Sequence, residues 1–352
     1  MTIIYVLFGV LLFGILIAVH ELGHFSAAKL LGVRVNEFSV GMGPALVQKQ
    51  KGETLYSLRC VPFGGFCAME GEDEETGDPR AFTSQKAWKR VVILVAGALM
   101  NFLLGFLIVL GLFSNAAAFR SPQIVDFMEG CPYVGENALQ KNDRFLKIDG
   151  RRVRQYSDVT EYLANGDGVY DIVVKRDGEK VTLRDFKLVP VEYEGEARKM
   201  YGFYFGTDEA SFGNKLRYAW GTTMEFSRLV WQGLRELVSG NVKMDDMAGP
   251  VGIVDLMAET GEQAQSLRDG LMDILYMAAL IAVNLAIMNM LPIPALDGGR
   301  VFFLLVSELI RLITGKKPDP RLDGYIHAAG MALLLAFMAA IMFNDVVRIF
   351  KN

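Results

Sequence analysis

"IIYVLFGVLLFGILIAVHELGHFSAAK" (residues 3–29) decides the fold class. From Ile3 to Val19 it carries no charge, and about 20 such residues are enough to cross roughly 30 Å of hydrocarbon as a helix. His20, Glu21 and His24 follow at once. Titratable groups at membrane depth cost a few kcal/mol each and mark functional positions. The segment lacks a basic start and a small-residue cleavage pattern, so it is expected to stay as a span rather than leave as a signal peptide.

Three further runs have the same character: Val91–Phe113, Leu271–Leu291 and Tyr325–Phe343. The 352 residues are 52% hydrophobic with mean hydropathy +0.27, which fits several spans plus a smaller water-soluble part. A formal net charge of −4 provides no basic patch for nucleic acid. Cys60, Cys67 and Cys131 form no disulfide framework and no usual zinc spacing, and read as small packed hydrophobes. Arg and Lys crowd the loops after the first and third runs. The positive-inside tendency places those loops in the cytoplasm and the long polar stretch after the second run outside.

That polar stretch reads as a compact α+β module. Asp149-Gly150 and Asp177-Gly178 each sit between alternating segments, a strong hairpin signal. "SDVTEYLANG" (157–166) reads as a short helix with Ser157 as its N-cap. Ser211–Gly240 is amphipathic, with too many charges for a comfortable span, and is expected to lie on the membrane surface or against the module. The expected organisation is therefore residues 1–113 with two spans and a cytoplasmic, re-entrant loop (31–90), a module at 114–195, an amphipathic segment at 196–265, and two last spans at 266–352. As a fold class this is a polytopic α-helical membrane protein with about four transmembrane helices, a membrane-dipping β-hairpin and one extracytoplasmic α+β domain.

"HELGH" is an H-E-x-x-H pattern. On a helix His20 and His24 lie one turn apart on one face and can ligate a single Zn²⁺, with Glu21 beside them to take a proton from an activated water. A catalytic zinc site wants a third protein ligand, and "NMLPIPALDGGR" (289–300) supplies Asp297 just past the third span. Spans one and three run in the same direction, so Asp297 is expected at the depth of the two histidines. His327, the remaining histidine, has no partner at ligand spacing and reads as packed or interfacial. Pro292 and Pro294 break the helix, and irregular backbone at this depth belongs beside protein or a watery cavity. Asn289 is expected to hydrogen-bond a peptide carbonyl or an oxyanion, the alternative being an interhelical hydrogen bond. Asn101 and Asn284 read as interhelical hydrogen-bonding residues. The glycine-rich stretches "VGMGPAL" (40–46) and "LRCVPFGGFCAM" (58–69) suggest a hairpin dipping into the membrane, whose edge would accept an unwound substrate as an added strand.

In this order "HELGH", "GMGP", "VPFGGF", "AGALMN", "AGPVGI" and "NMLPIPALDGG" resemble the site-2 protease family, in particular its RseP-like branch, over nearly the whole chain. The resemblance implies an intramembrane zinc metalloprotease that cuts single-span membrane proteins, such as anti-sigma factors or remnant signal peptides, after another protease has trimmed them. It implies His20, His24 and Asp297 as zinc ligands, Glu21 as general base and Asn289 as a substrate-positioning residue. Phe63, Gly64 and Gly65 fall in the membrane-dipping hairpin, and the bacterial cytoplasmic membrane is the implied setting. The module resembles a single PDZ domain. Tyr133 and Asn142 depart from the PDZ pattern and favour a size filter or gate over tail binding, and Ala98 stands where proline is common. Two other classes fit an isolated membrane helix with polar groups: a catalytically inactive PDZ-bearing scaffold and an ion-coupled transporter. The intact HExxH and LDG patterns oppose the first, and the absence of a visible inverted repeat opposes the second.

Overall fold

The structure is a computed structural model and describes residues 2–72, 76–241, 248–315 and 320–351. Its first elements are α1 (Thr2–Leu30), β1 (Val35–Lys51), β2 (Thr54–Met69) and α2 (Ala87–Leu112). A 3-10 turn leads into β3 (Ala118–Phe127), β4 (Arg144–Ile148), β5 (Arg151–Arg152), α3 (Tyr156–Ala164), β6 (Val169–Arg176), β7 (Glu179–Lys187) and β8 (Phe203–Glu209). Five helices follow among the described residues: α4 (Phe212–Val238), α5 (Pro250–Gln263), α6 (Leu267–Asn289), α7 (Asp297–Thr314) and α8 (Pro320–Lys351). The chain forms two compact units, Met1–Val109 with Phe226–Asn352, and Leu110–Glu225.

Among the described residues four segments are long and apolar enough to cross a membrane: Ile3–Leu30, Ala87–Asn115, Leu267–Asn289 and Gly324–Phe343. Leu7, Leu107 and Leu333 are each more than half exposed on them, as suits side chains that meet lipid. Their inward faces are small. Tyr5, Leu12, Met257, Ala258, Ile274 and Ala278 form the core shared by α1, α5 and α6. A Cβ on Gly105 would stand 3.0 Å from the Ala279 carbonyl oxygen, so α2 and α6 touch nearly backbone to backbone. The buried Asp345 carboxylate of α8 accepts hydrogen bonds from the Gly249 and Gly252 amides (3.3 and 2.9 Å), satisfying the first turn of α5.

β1 and β2 form one antiparallel hairpin that is folded over on itself. Phe38 pairs with both Cys67 and Tyr56, and Val40 with both Gly65 and Leu58, so the start of β1 lies between the two halves of β2. The fold-over needs left-handed backbone at Gly41, Gly43 and Gly64, and a Cβ on Gly41 would stand 2.7 Å from the Val61 carbonyl oxygen. Residues 65–69 pair only with β1, leaving their other flank as an edge. The base of the hairpin is packed by Ala28, Val33, Val35, Cys67, Met69 and Ile93. At its turn, Glu53 accepts hydrogen bonds from Lys29 and Arg80, both at 2.7 Å. Cys67 is buried as expected of a packed cysteine, whereas Cys60 is exposed.

The second unit is a six-stranded antiparallel sheet in the order β7-β6-β4-β3-β8, with β5 on β4. Asp149-Gly150 and Asp177-Gly178 turn the chain with positive φ at both residues, the geometry that matches strand twist in two-residue hairpins. Alternate residues of β6 (Tyr170, Ile172, Val174) join Phe145, Ile148, Val159 and Leu188 in the core. Asn142 takes φ +72, a left-handed position that asparagine tolerates. The sheet also draws in β8, which lies beyond residue 195. The helix at 157–166 begins earlier than expected, with Gln155 rather than Ser157 as its N-cap. Ser157 is drawn away because its hydroxyl donates to Glu225 of α4 (2.9 Å).

The first half of α4 is fastened to this sheet. Tyr218 stacks on Phe119 with centroids 4.4 Å apart, and its hydroxyl donates to Asp208 at 2.8 Å. Asp208 also accepts from both Arg144 nitrogens and from Arg217. The Arg144 guanidinium foremost holds the Asp208 carboxyl far below its usual range. Burial and then the same carboxylate push the Tyr218 hydroxyl up to about 12. A depressed carboxylate contributes stability above its unfolded value of about 4 and loses it as pH falls toward the folded value. Asp208→Ala is expected to cost this unit about 2 kcal/mol at pH 7. Near-UV circular dichroism melts should show the gap to wild type narrowing below pH 4; a gap equal at pH 7 and pH 3 contradicts the assignment.

Candidate metal centre

α1 continues past its apolar run, so His20 and His24 stand one turn apart with ring centroids 4.8 Å apart. Their Nε2 atoms are 3.1 Å from each other. Asp297 Oδ2 lies 3.1 Å from His20 Nε2 and 3.2 Å from His24 Nε2. Asp297 is the first residue of α7. The two glycines after it are dictated by the turn that delivers it. A Cβ on Gly298 would stand 2.3 Å from the Met290 carbonyl carbon, and one on Gly299 2.1 Å from the Ile293 oxygen. Ala295 completes the turn with φ +79.

The donor set suits a cation. The Ile93 carbonyl can only accept, so His24 Nδ1 donates to it (2.8 Å), and the neutral ring then has its lone pair on Nε2. Two imidazole nitrogens and a carboxylate oxygen pointing at one another without a cation would repel. Donors about 2.0–2.1 Å from a tetrahedral zinc stand roughly 3.3–3.4 Å apart, close to the spacing found. These three side chains are the metal-capable group among the described residues.

The centre opens into a cavity of about 550 Å³, whose wall includes Glu21, Phe66, Glu72, Arg300 and Met331. Glu72 and Arg300 form an ion pair there. Gly65 is beside the centre: a Cβ on it would lie 3.4 Å from Glu21 Cγ. Gly64 packs instead on Met42. Phe63 is in β2 and His327 in α8, but their side chains lie outside the described residues. Asn289 is the last residue of α6, half-buried, and is not in the cavity wall.

Sequence reasoning missed Gly97. A Cβ there would stand 2.3 Å from His24 Nε2 and 2.8 Å from His20 Cε1. A Cβ on Gly23 would likewise meet the Ala96 oxygen at 2.4 Å. In the sequence "AGALMN" carried only the family resemblance, and nothing in it says that its glycine lies against the imidazoles.

A multi-pass membrane protein with two imidazoles, one carboxylate and a neighbouring glutamate opening on a cavity is of the zinc-dependent metalloprotease class. The chain belongs to peptidase family M50, whose sequence profile matches residues 8–337. It is similar to a putative zinc metalloprotease of Clostridium perfringens, 32% identical over 345 residues, spanning 97% of this chain and 98% of the relative. A putative zinc metalloprotease of Clostridium acetobutylicum is 33% identical over 349 residues, spanning 97% of each. The regulator of sigma-W protease RasP of Bacillus subtilis is 26% identical over 427 aligned positions, spanning 97% of this chain and 98% of its own.

The crowding at Gly97 has a measurable consequence. Gly97→Ala, the smallest possible addition, is expected to leave purified protein with well under half of the wild-type zinc by elemental analysis. Full occupancy in the variant would show that the α1–α2 crossing yields more easily than the distances imply.

Proposed function

We propose that this enzyme hydrolyses peptide bonds of single-span membrane proteins within the membrane. The observation that carries the reading is the convergence of His20, His24 and Asp297, from two separate helices, beside Glu21 on a cavity wall. In this reading the three converging side chains hold zinc and Glu21 is the general base. Bound zinc supplies Lewis acidity that activates water and polarises the scissile carbonyl. Glu21 takes the proton of the attacking water and passes it to the leaving amine, a role worth about 10²–10⁴-fold in rate. Holding that proton within a walled cavity keeps it available for the second transfer.

Substrate has to arrive unwound, because a helical peptide bond is hydrogen-bonded on both sides. The unpaired flank of residues 65–69 offers backbone donors and acceptors beside Glu21, and a substrate would add there as a strand. Phe63, Gly64 and Gly65 belong to this docking hairpin, which in this reading dips into the bilayer. Asn289 would position the substrate backbone from the end of α6. The β-sheet unit is read as a PDZ-like domain acting as a size filter, and its placement outside the bacterial cytoplasmic membrane follows the charge distribution of the loops. Substrates already shortened by another protease, among them anti-sigma factors and remnant signal peptides, fit such a filter. The similarity to a regulator of sigma-W protease supports that substrate class.

Reconstituted with zinc and a single-span substrate, the wild type should cleave and Glu21→Gln should lose at least about 10²-fold in rate while retaining zinc. Equal cleavage by the two proteins would remove Glu21 from the mechanism. Asp297→Asn is expected to bind zinc more weakly in a chelator competition, and unchanged affinity would remove Asp297 from the ligand set.

A further inference from the structure

We propose that Asn101 is the hydrogen-bond acceptor that orients His20, taking the proton on His20 Nδ1 across one bridging water. This rests on the reading of His20 as a zinc ligand. The two histidines of the centre are supported unequally. His24 has its Nδ1 proton fixed by the Ile93 carbonyl. His20 Nδ1 is buried and has no hydrogen-bond partner among the described residues. A metal-bound histidine almost always donates its second ring N–H to a carboxylate, a carbonyl or a water.

α2 carries a buried amide that is likewise without a partner. Asn101 is 1% exposed, and neither its Oδ1 nor its Nδ2 has a partner among the described residues. An amide buried without hydrogen bonds loses its hydration for nothing in return, so this one needs a use. Its place follows from helix geometry. Asn101 is one turn beyond Gly97 on the same face of α2, and the Cβ site of Gly97 is 2.8 Å from His20 Cε1, the ring atom between the two nitrogens. Helical side chains lean back over the preceding turn. Asn101 therefore leans toward Gly97, which has no side chain to occupy the space. The antiparallel crossing of Gly23 on Gly97 sets the next turn of α2 beside the turn of α1 that bears His20. An interhelical hydrogen bond of the ordinary kind would have given the amide a backbone or side-chain partner, and it has none among the described residues. A buried water bridging two such groups is a common arrangement.

The test uses the full chain in detergent, zinc-loaded and with ring-¹⁵N histidine; only three imidazoles then report. Wild type should show two exchange-protected imidazole N–H groups. Asn101→Leu, similar in size but without an acceptor, should lose the His20 signal, keep that of His24, and bind zinc about 10–100-fold more weakly by chelator competition. The metal-free melting temperature of this variant should not fall. Asn101→Asp retains an oxygen at the same place and should restore both the signal and zinc affinity to within about tenfold of wild type. A residue that merely glued helices would not be rescued by a buried carboxylate. Unchanged zinc affinity and two protected N–H groups in Asn101→Leu would overturn the proposal. If Asn101→Leu fails to fold, loss of zinc in Asn101→Asp overturns it instead. His20→Ala separates the underlying reading: if that variant keeps wild-type zinc affinity, His20 is not a ligand, whereas loss in His20→Ala with none in Asn101→Leu sinks Asn101 alone.

Discussion

The backbones of α1 and α2 meet at Gly23 and Gly97, and the centre depends on that contact. Any side chain at Gly97 would occupy the volume of the imidazoles, and any at Gly23 would push α2 away. Close approach does two things at once. It walls off one side of His20 and His24, and it brings the Ile93 carbonyl within reach of His24 Nδ1. The third side is closed by α7, whose first residue is set by two more glycines packed on the Met290–Pro294 turn. Lipid provides no hydrophobic drive for helices to pair, so small residues that let backbones touch are the available means of fixing donor atoms to within tenths of an ångström.

Much of this was legible because the signals are local. Four apolar runs and the i, i+4 spacing of two histidines need no tertiary information. Asp297 was reachable by counting membrane crossings, since two spans running the same way end on the same side. The two Asp-Gly turns were legible because type I′ geometry demands those residues. What escaped was non-local. β8 joins β3 across more than 70 residues, and nothing in "FYFGTDE" names its partner. Ser157 lost its capping role to Glu225, almost 70 residues away. The helix starting at Asp297 was hidden because Pro292 and Pro294 read as irregular chain, whereas that irregularity ends just before Asp297.

The hairpin illustrates a different limit. Its glycines marked turns, but not that each strand doubles back so that one stretch of β1 is flanked on both sides by β2. That arrangement uses the first flank for stability and the second to present residues 65–69 with an unpaired side. An exposed edge is ordinarily an aggregation hazard. Here residues 66–69 share the wall of the cavity that carries Glu21.

The bond from His24 to a main-chain carbonyl also bears on how such a centre changes over time. No substitution at position 93 removes that oxygen, so the orientation of His24 is insulated from mutation as long as the helix persists. His20 has no such backbone acceptor among the described residues, and its support is open to exchange of a side chain. Variation in metal affinity among descendants of this sequence would therefore accumulate on the His20 side of the centre, while the His24 side stays constant.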